Sequence, residues 1–180
     1  MKKLVTISLT LFLAFGLMSS CEKVNSLFDV EFNADFQTQM DMQIVPSALK
    51  SGTGTFNKTE TIDPLSNADF LKYKEKIKDI NIVGATIEII ALNPSSIAIT
   101  NCTLIVSNSN NTLSAQWNIP QMVFTLGQKI TLESNQFNLL KQILNQKNPF
   151  TVQLSGTSSA PDGTFKADVI FSTKVTANPL

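Results

Sequence analysis

Apolar and polar residues alternate without a break from Phe28 to Phe36. Phe28, Val30, Phe32, Ala34 and Phe36 fall on one side, and Asp29, Glu31, Asn33 and Asp35 on the other. A period of two marks a half-buried strand. Met40, Met42 and Ile44 continue the alternation towards Pro46. The next segment, Ser51 to Asp63, opens on a glycine turn, and Thr55, Thr59 and Thr61 suit an exposed strand. The period then changes. Ser66 is placed to cap a helix with Asp69 in its first turn, and Phe70, Tyr73 and Ile77 share one helical face. Lysines 72, 74, 76 and 78 spread over the rest, interleaved with Glu75 and Asp79. They read as a solvated face or as a basic patch for anionic lipid or a partner.

Ile80 to Leu92 returns to strand character, with Gly84 marking a bulge or bend. A turn at Asn93–Ser96 leads to a strand over Ile97–Val106, closed by "SNSNNT". Shorter strands follow over Leu113–Ile119 and Gln121–Leu126, to either side of Pro120, and again in "GQKITLE". Ser134 or Asn135 is placed to cap a second helix, on which Phe137, Leu140 and Leu144 align and Leu139 and Ile143 widen the apolar face. Near the C-terminus Phe165, Ala167, Val169 and Phe171 alternate with Lys166, Asp168 and Ile170. Pro161-Asp162-Gly163 is a turn by its chemistry: proline presets φ, aspartate supports the bend, and glycine takes positive φ at little cost. The expectation is a C-terminal hairpin. Eight or nine strands follow one another without a helix after each, so the sheet is antiparallel and the protein mainly β. The predicted architecture is a two-sheet sandwich, Ig-like or Greek-key, with two short helices; the alternative is a closed β-barrel.

The first 27 residues stand apart. Lys2 and Lys3 precede an uncharged apolar run of about 14 residues from Leu4 to Leu17, shorter than the roughly 20 of a membrane-spanning helix and laid out like a secretory signal. Cleavage after Ser19 or Ser20 would leave Leu17 or Met18 where an ordinary signal peptidase wants a small residue. Cleavage before Cys21 leaves Met18-Ser19-Ser20-Cys21, which resembles the lipobox of bacterial lipoproteins, with Met in place of the usual Leu. That resemblance implies a diacylglycerol on the Cys21 thiol, with the freed amine often acylated as well. Glu22, where Asp would imply inner-membrane retention, implies sorting to the outer membrane. Residues 1–20 are then the signal peptide, 21–27 a lipid-anchored tether, and 28–180 a single domain. The chain also resembles the small lipoproteins of Bacteroidota. The stretch "LNPSSIAITNCTLIVSN" resembles the late-embryogenesis-abundant type 2 sandwich, in which a strand ends in Asn-Pro. Neither likeness assigns a functional residue.

Composition narrows the chemistry. There is no histidine, and all basic residues are lysine. Without the two signal lysines, 12 Lys stand against 14 Asp plus Glu, 12 − 14 = −2. Nucleic-acid binding, which needs a basic footprint, is not indicated. His-based triads and His-based zinc sites are excluded. With Cys21 acylated, Cys102 has no disulfide partner, and its setting in "AITNCTLIVS" reads as a small buried hydrophobe. Glu31, Asp35, Glu60, Asp63 and Glu88 could do acid–base work, yet no pair stands out by spacing. "PDG" lacks the oxygen ligands of a calcium loop, "SGTG" is no phosphate loop, and the sequons at Asn57 and Asn101 carry no weight in a bacterial chain. No catalytic residue, metal or cofactor is therefore assigned.

The expected function is non-catalytic binding of a protein or envelope component by a membrane-anchored module. The alternative is carriage of a lipid or other apolar ligand between the sheets, in a pocket lined by Phe28, Phe32, Phe36, Met40 and Met42. Trp117 shares a strand face with Leu113 and Ala115, which reads as core. Pro120 suggests a strand end, which would make Trp117 a binding platform at a rim. The anchor is directly testable. Cys21→Ser should abolish palmitate incorporation and release the protein from membranes; persistent labelling would place the acylation elsewhere.

Overall fold

The computed structural model describes residues 28–48 and 51–179. The signal segment 1–20, Cys21 and the 21–27 tether lie outside the described residues. Among those described, nine strands form: β1 (Val30–Pro46), β2 (Gly54–Ile62), β3 (Ile77–Asn93), β4 (Ser96–Asn108), β5 (Ser114–Ile119), β6 (Met122–Thr125), β7 (Lys129–Thr131), β8 (Phe150–Ser158) and β9 (Gly163–Ala177). Two helices interrupt them, α1 (Ala68–Lys72) and α2 (Phe137–Asn145).

All the pairings are antiparallel. One sheet runs β1-β9-β3-β7. The other runs β2-β8-β4, with β5 and β6 both on the far edge of β4. The sheets are joined by two residue pairs, Val45↔Thr55 and Pro46↔Gly54. Except at the β4–β5 hairpin and the β5–β6 step, each strand is followed by one in the opposite sheet. This is the strand order of a jelly roll, two Greek keys wound together, with β5 and β6 sharing one strand's place. The Greek-key sandwich is therefore the form adopted. The continuous path ends in β5 and β7, which do not pair with each other, so the curled sheet is not a closed barrel.

The expected C-terminal hairpin is corrected by this order. β8 lies between β2 and β4, and β9 between β1 and β3. Both are interior strands with neither edge spare, so the turn at 161–163 carries the chain from one sheet to the other. The turn chemistry itself holds: Gly163 has φ 140°, a conformation that residues with a Cβ rarely adopt.

The period-two patterns translate directly into burial. β1 sends Ala34, Phe36, Met40, Met42 and Ile44 inward, and β9 sends Phe165, Ala167, Val169, Phe171, Val175 and Ala177. Thr173 shares that inner face and satisfies its hydroxyl by donating to the Ala34 carbonyl at 2.7 Å. The bulge expected at Gly84 is present as a register shift between Ile82 and Gly84. At Gly156 the strands approach so closely that a Cβ would sit 2.2 Å from the Asn101 carbonyl oxygen.

Both helices are displaced from their predicted starts. Asn67, not Ser66, caps α1, its side chain accepting from the Phe70 amide at 3.0 Å; Ser66 instead ends a 3-10 turn, Pro64–Ser66, held by Asp63. α1 stops at Lys72 and Ile77 already belongs to β3, so the 70/73/77 face is not a single helical face. α2 is preceded by a 3-10 turn, Ser134–Gln136, and has no side-chain cap. Its Leu140, Ile143 and Leu144 close the core between β3 and β5. Asn108, nearly fully buried, ties the β4–β5 loop to α2 by donating to Gln146 and Thr112 and accepting from the Leu113 amide.

Aromatic rings bridge the two sheets. Phe165 on β9 meets Phe56 on β2 and Phe124 on β6 edge-to-face, with centroids 5.2 and 5.5 Å apart. Phe150 on β8 lies 6.3 Å from Phe171 on β9. Such pairs add to simple area burial. Phe165→Ala should cost about 3–5 kcal/mol in denaturant unfolding. Lys166→Ala, one residue away on the solvent face, should stay within about 0.5 kcal/mol. Equal effects would mean that the inter-sheet rings contribute nothing special.

Candidate functional site

The unpaired ends of the curled sheet define the site. β5 has β4 on one side only, and β7 has β3 on one side only. Their free edges flank a cleft of about 630 Å³. Short backbone bonds to β3 position its β7 wall: Gly127 N–H to Ile89 O at 2.7 Å, Ile89 N–H to Gln128 O at 2.9 Å, and Leu132 N–H to Ala85 O at 2.9 Å. Pro120, without an N–H, ends β5 at the rim, where the sequence places a strand end.

The polar part of the walls is mainly uncharged. Five amide side chains line the cleft: Gln116, Asn118, Gln128, Asn135 and Gln136. The two charged lining residues are Lys129 and Glu133, of opposite sign, and Lys129 is itself paired with Glu88 at 3.3 Å. Trp117, Ile119, Ile130 and Leu132 supply an apolar floor. Trp117 is 4% exposed, and its Nε1 donates to the Glu133 carbonyl at 2.8 Å. It is a core residue that also forms the cleft floor and ties β5 to the segment after β7. Two of these amides are tied down: Gln116 donates to Asn118 at 3.1 Å, and Gln128 accepts from the Thr125 backbone N–H at 3.1 Å. Sequence reasoning reached Trp117 and Pro120 but not the amides. Their signal was present, because Gln116 and Asn118 hold the polar positions of β5, but which strand would face them was not.

The β1 residues expected to line an apolar pocket do not gather around one. Phe28 is exposed, before β1 begins. Phe32 is half-buried against Tyr73, with ring centroids at 5.4 Å. Phe36 is edge-on to Phe70 at 5.2 Å, and Met40 and Met42 are core. Phe36 and Met42 touch two separate surface grooves that share no lining residue. Trp117 belongs to the other sheet. Among the described residues, no group of three or more His, Cys, Asp or Glu gathers as a metal site, and no buried side-chain nitrogen or oxygen lacks a partner. No described helix is long and apolar enough to cross a membrane.

No protein-family model and no curated protein matches this chain. Among solved structures it is similar to a decameric BFDV capsid protein (TM-score 0.43, 10% identity, 81% of this chain and 99% of that one). It is also similar to turnip yellow mosaic virus (TM-score 0.39, 8% identity, 84% and 95%). A third match is a carbohydrate-binding module of the β-sandwich superfamily (TM-score 0.30, 12% identity, 79% and 54%). At these scores no functional weight attaches to any of them.

Cys102, on the inner face of β4, is fully buried, and burial pushes its thiol up to about 12. It is protonated where a nucleophile would need to be a thiolate. The linkage has a definite sign. Below the unfolded-state value of about 9 both states are protonated and nothing is lost. Between about 9 and 12 only the unfolded chain ionises, so stability falls as pH rises, by up to about 1.4 kcal/mol per pH unit. Cys102→Ala should remove that slope. An unchanged slope in the variant would assign it to other groups.

Proposed function

We propose that this protein is a non-catalytic binding module, held by an acyl anchor on Cys21 in the outer membrane, that engages a protein or envelope component at the β5/β7 cleft. The observation that carries the reading is the pair of free strand edges on either side of a cleft whose polar walls are mainly amides, with one lysine and one glutamate. Edge backbone groups offer hydrogen bonds in register, and amides add both donors and acceptors without fixing a charge on the partner. A ligand that is polar and largely neutral fits those walls. The protonated, buried Cys102 and the absence of histidine support a binding role over nucleophilic catalysis. The ring contacts of Phe56, Phe165, Phe124, Phe150 and Phe171 support it over carriage of an apolar ligand, which would have to displace them.

The test uses the full acylated chain in its own cells. A photo-crosslinking residue at Gln116, in the cleft, should give a discrete adduct; one at Gln39, on the outer face of β1, should not. Adducts at both positions, or at neither, count against the cleft. Native mass spectrometry of the purified protein should show no added mass beyond the anchor's acyl groups. A further lipid-sized increment would favour the carrier reading.

A further inference from the structure

We infer that the occupant of the β5/β7 cleft is an extended polypeptide segment of a partner, which adds to the sheet as a short strand alongside β5. The inference rests on the binding role proposed for that cleft, and it names the class of ligand and the way it is held.

In an antiparallel ladder every second residue exchanges its N–H and C=O with the residue opposite, and the residues between turn both groups the other way. Bonds just beyond each strand fix which residues those are. The Asn108 N–H donates to the Leu113 carbonyl at 3.2 Å, one step past the Ser107↔Ser114 pair. Ala115, Trp117 and Ile119 therefore bond to β4, and Gln116 and Asn118 turn their N–H and C=O to the free edge. On the other side, the Ile89 N–H donates to the Gln128 carbonyl and the Leu132 N–H to the Ala85 carbonyl, one step beyond either end of β7. Ile130 therefore bonds to β3, and Lys129 and Thr131 turn theirs outward. Among the described residues, no backbone group meets the outward N–H or C=O of these four.

That pattern is the complement of another backbone. Gln116 and Asn118 lie two residues apart, about 6.8 Å along the strand, and a second strand about 4.8 Å to the side repeats donor and acceptor at the same interval. Sugar hydroxyls, which radiate around a ring, have no such register. Side chains opposite one another in an antiparallel pair share a face. Residues of the added strand opposite Gln116 and Asn118 then lie outward beside the amides, and the one opposite Trp117 lies inward on the apolar floor of Ile119 and Ile130. The segment alternates uncharged polar and apolar residues, because a charge at the inward position would be buried without a partner. Its direction follows from the topology. Every step along the path from β5 to β7 is antiparallel and the two strands run opposite ways, so a strand between them is antiparallel to one and parallel to the other. β5 is the longer edge, six residues against three, and antiparallel pairing is slightly the more stable, so the segment runs antiparallel to β5. Pro120 ends β5 and limits the added strand to the bonds of Gln116 and Asn118.

The test places a photo-crosslinking residue at Asn135, in the cleft wall on the 3-10 turn after β7, in the full acylated chain in its own cells. Adduct yield is compared between Asn118→Pro and Asn118→Ala in that background. Proline removes the outward N–H and leaves the β4 ladder intact, the arrangement in which an edge strand tolerates it. Alanine keeps the N–H and removes the side-chain amide. Asn118→Pro should lower the yield at least roughly tenfold and Asn118→Ala by less than about threefold, and the digested adduct should carry a cross-linked peptide. A loss with Asn118→Ala as large as with Asn118→Pro, or an adduct that carries a glycan, would overturn strand addition and leave the cleft as a site read by its side chains. No adduct from the parent chain would overturn the cleft itself, and strand addition with it. Where Asn118→Pro melts well below the parent, Gln116→Pro and Gln116→Ala, at the other outward N–H, are compared by the same rule.

Discussion

The fold depends on one strand being paired along both edges. β9 bonds to β1 from Gly163 to Ala177 and to β3 over the same length. A backbone that leaves water must place its N–H and C=O groups, and β9 does so through ladders on both sides, continuous with β1 and broken only by the register shifts of β3. Its inner side chains are therefore fixed in a row, and Phe165 and Phe171 are aimed at Phe56, Phe124 and Phe150 of the facing sheet. The rings set how the sheets stack, but only because β9 cannot slide: a slip of one residue would turn Phe165 and Phe171 to solvent and Lys166 and Asp168 into the core.

The same accounting explains the position of the cleft. In a jelly roll the interior strands use up their edges, and the path must end somewhere. Here it ends in β5 and β7, short strands of six and three residues. The indole of Trp117 reaches across to the Glu133 carbonyl and holds the two ends together without joining their backbones. The opening is thus a product of the topology, and what the sequence adds is the amide lining of its walls.

The alternation in β1 and β9 was legible because a period of two reports which face a residue takes. It does not report which strand lies alongside. That is why the turn at 161–163 was readable as a turn while the pairing of β8 with β9 was not: proline, aspartate and glycine specify a bend, and a bend between sheets uses the same residues as a bend within one. The helix starts were misplaced for a related reason. Ser66 and Asn67 are both good caps, and Asp63 takes the first by building a 3-10 turn ahead of the helix. The cleft was the least legible part, since Gln116 and Asn118 are ordinary outward positions until β7 is placed opposite them.

A second seam shows that an open edge need not be a site. Beyond Thr55 the strands β1 and β2 separate, so β2 has a free edge down to Ile62. On its inner face, between Phe56 and Ile62, stand Lys58 and Glu60, opposite the buried Leu154 and Val152 and paired with each other at 3.1 Å. Charges on the core-facing side of an edge strand are a recognised guard against edge pairing, because an added strand would bury them. The β1 side of that seam carries Glu31, Asp35 and Asp41. The β5/β7 seam has no such guard. Its inner positions are Ala115, Trp117 and Ile119 on β5 and Ile130 on β7, all apolar, and its outer ones are mainly uncharged. An incoming extended segment or neutral polar ligand would meet no buried charge there. With one seam guarded by charges on its inner face and the other apolar there, the binding proposed for this protein falls on the β5/β7 side of the molecule.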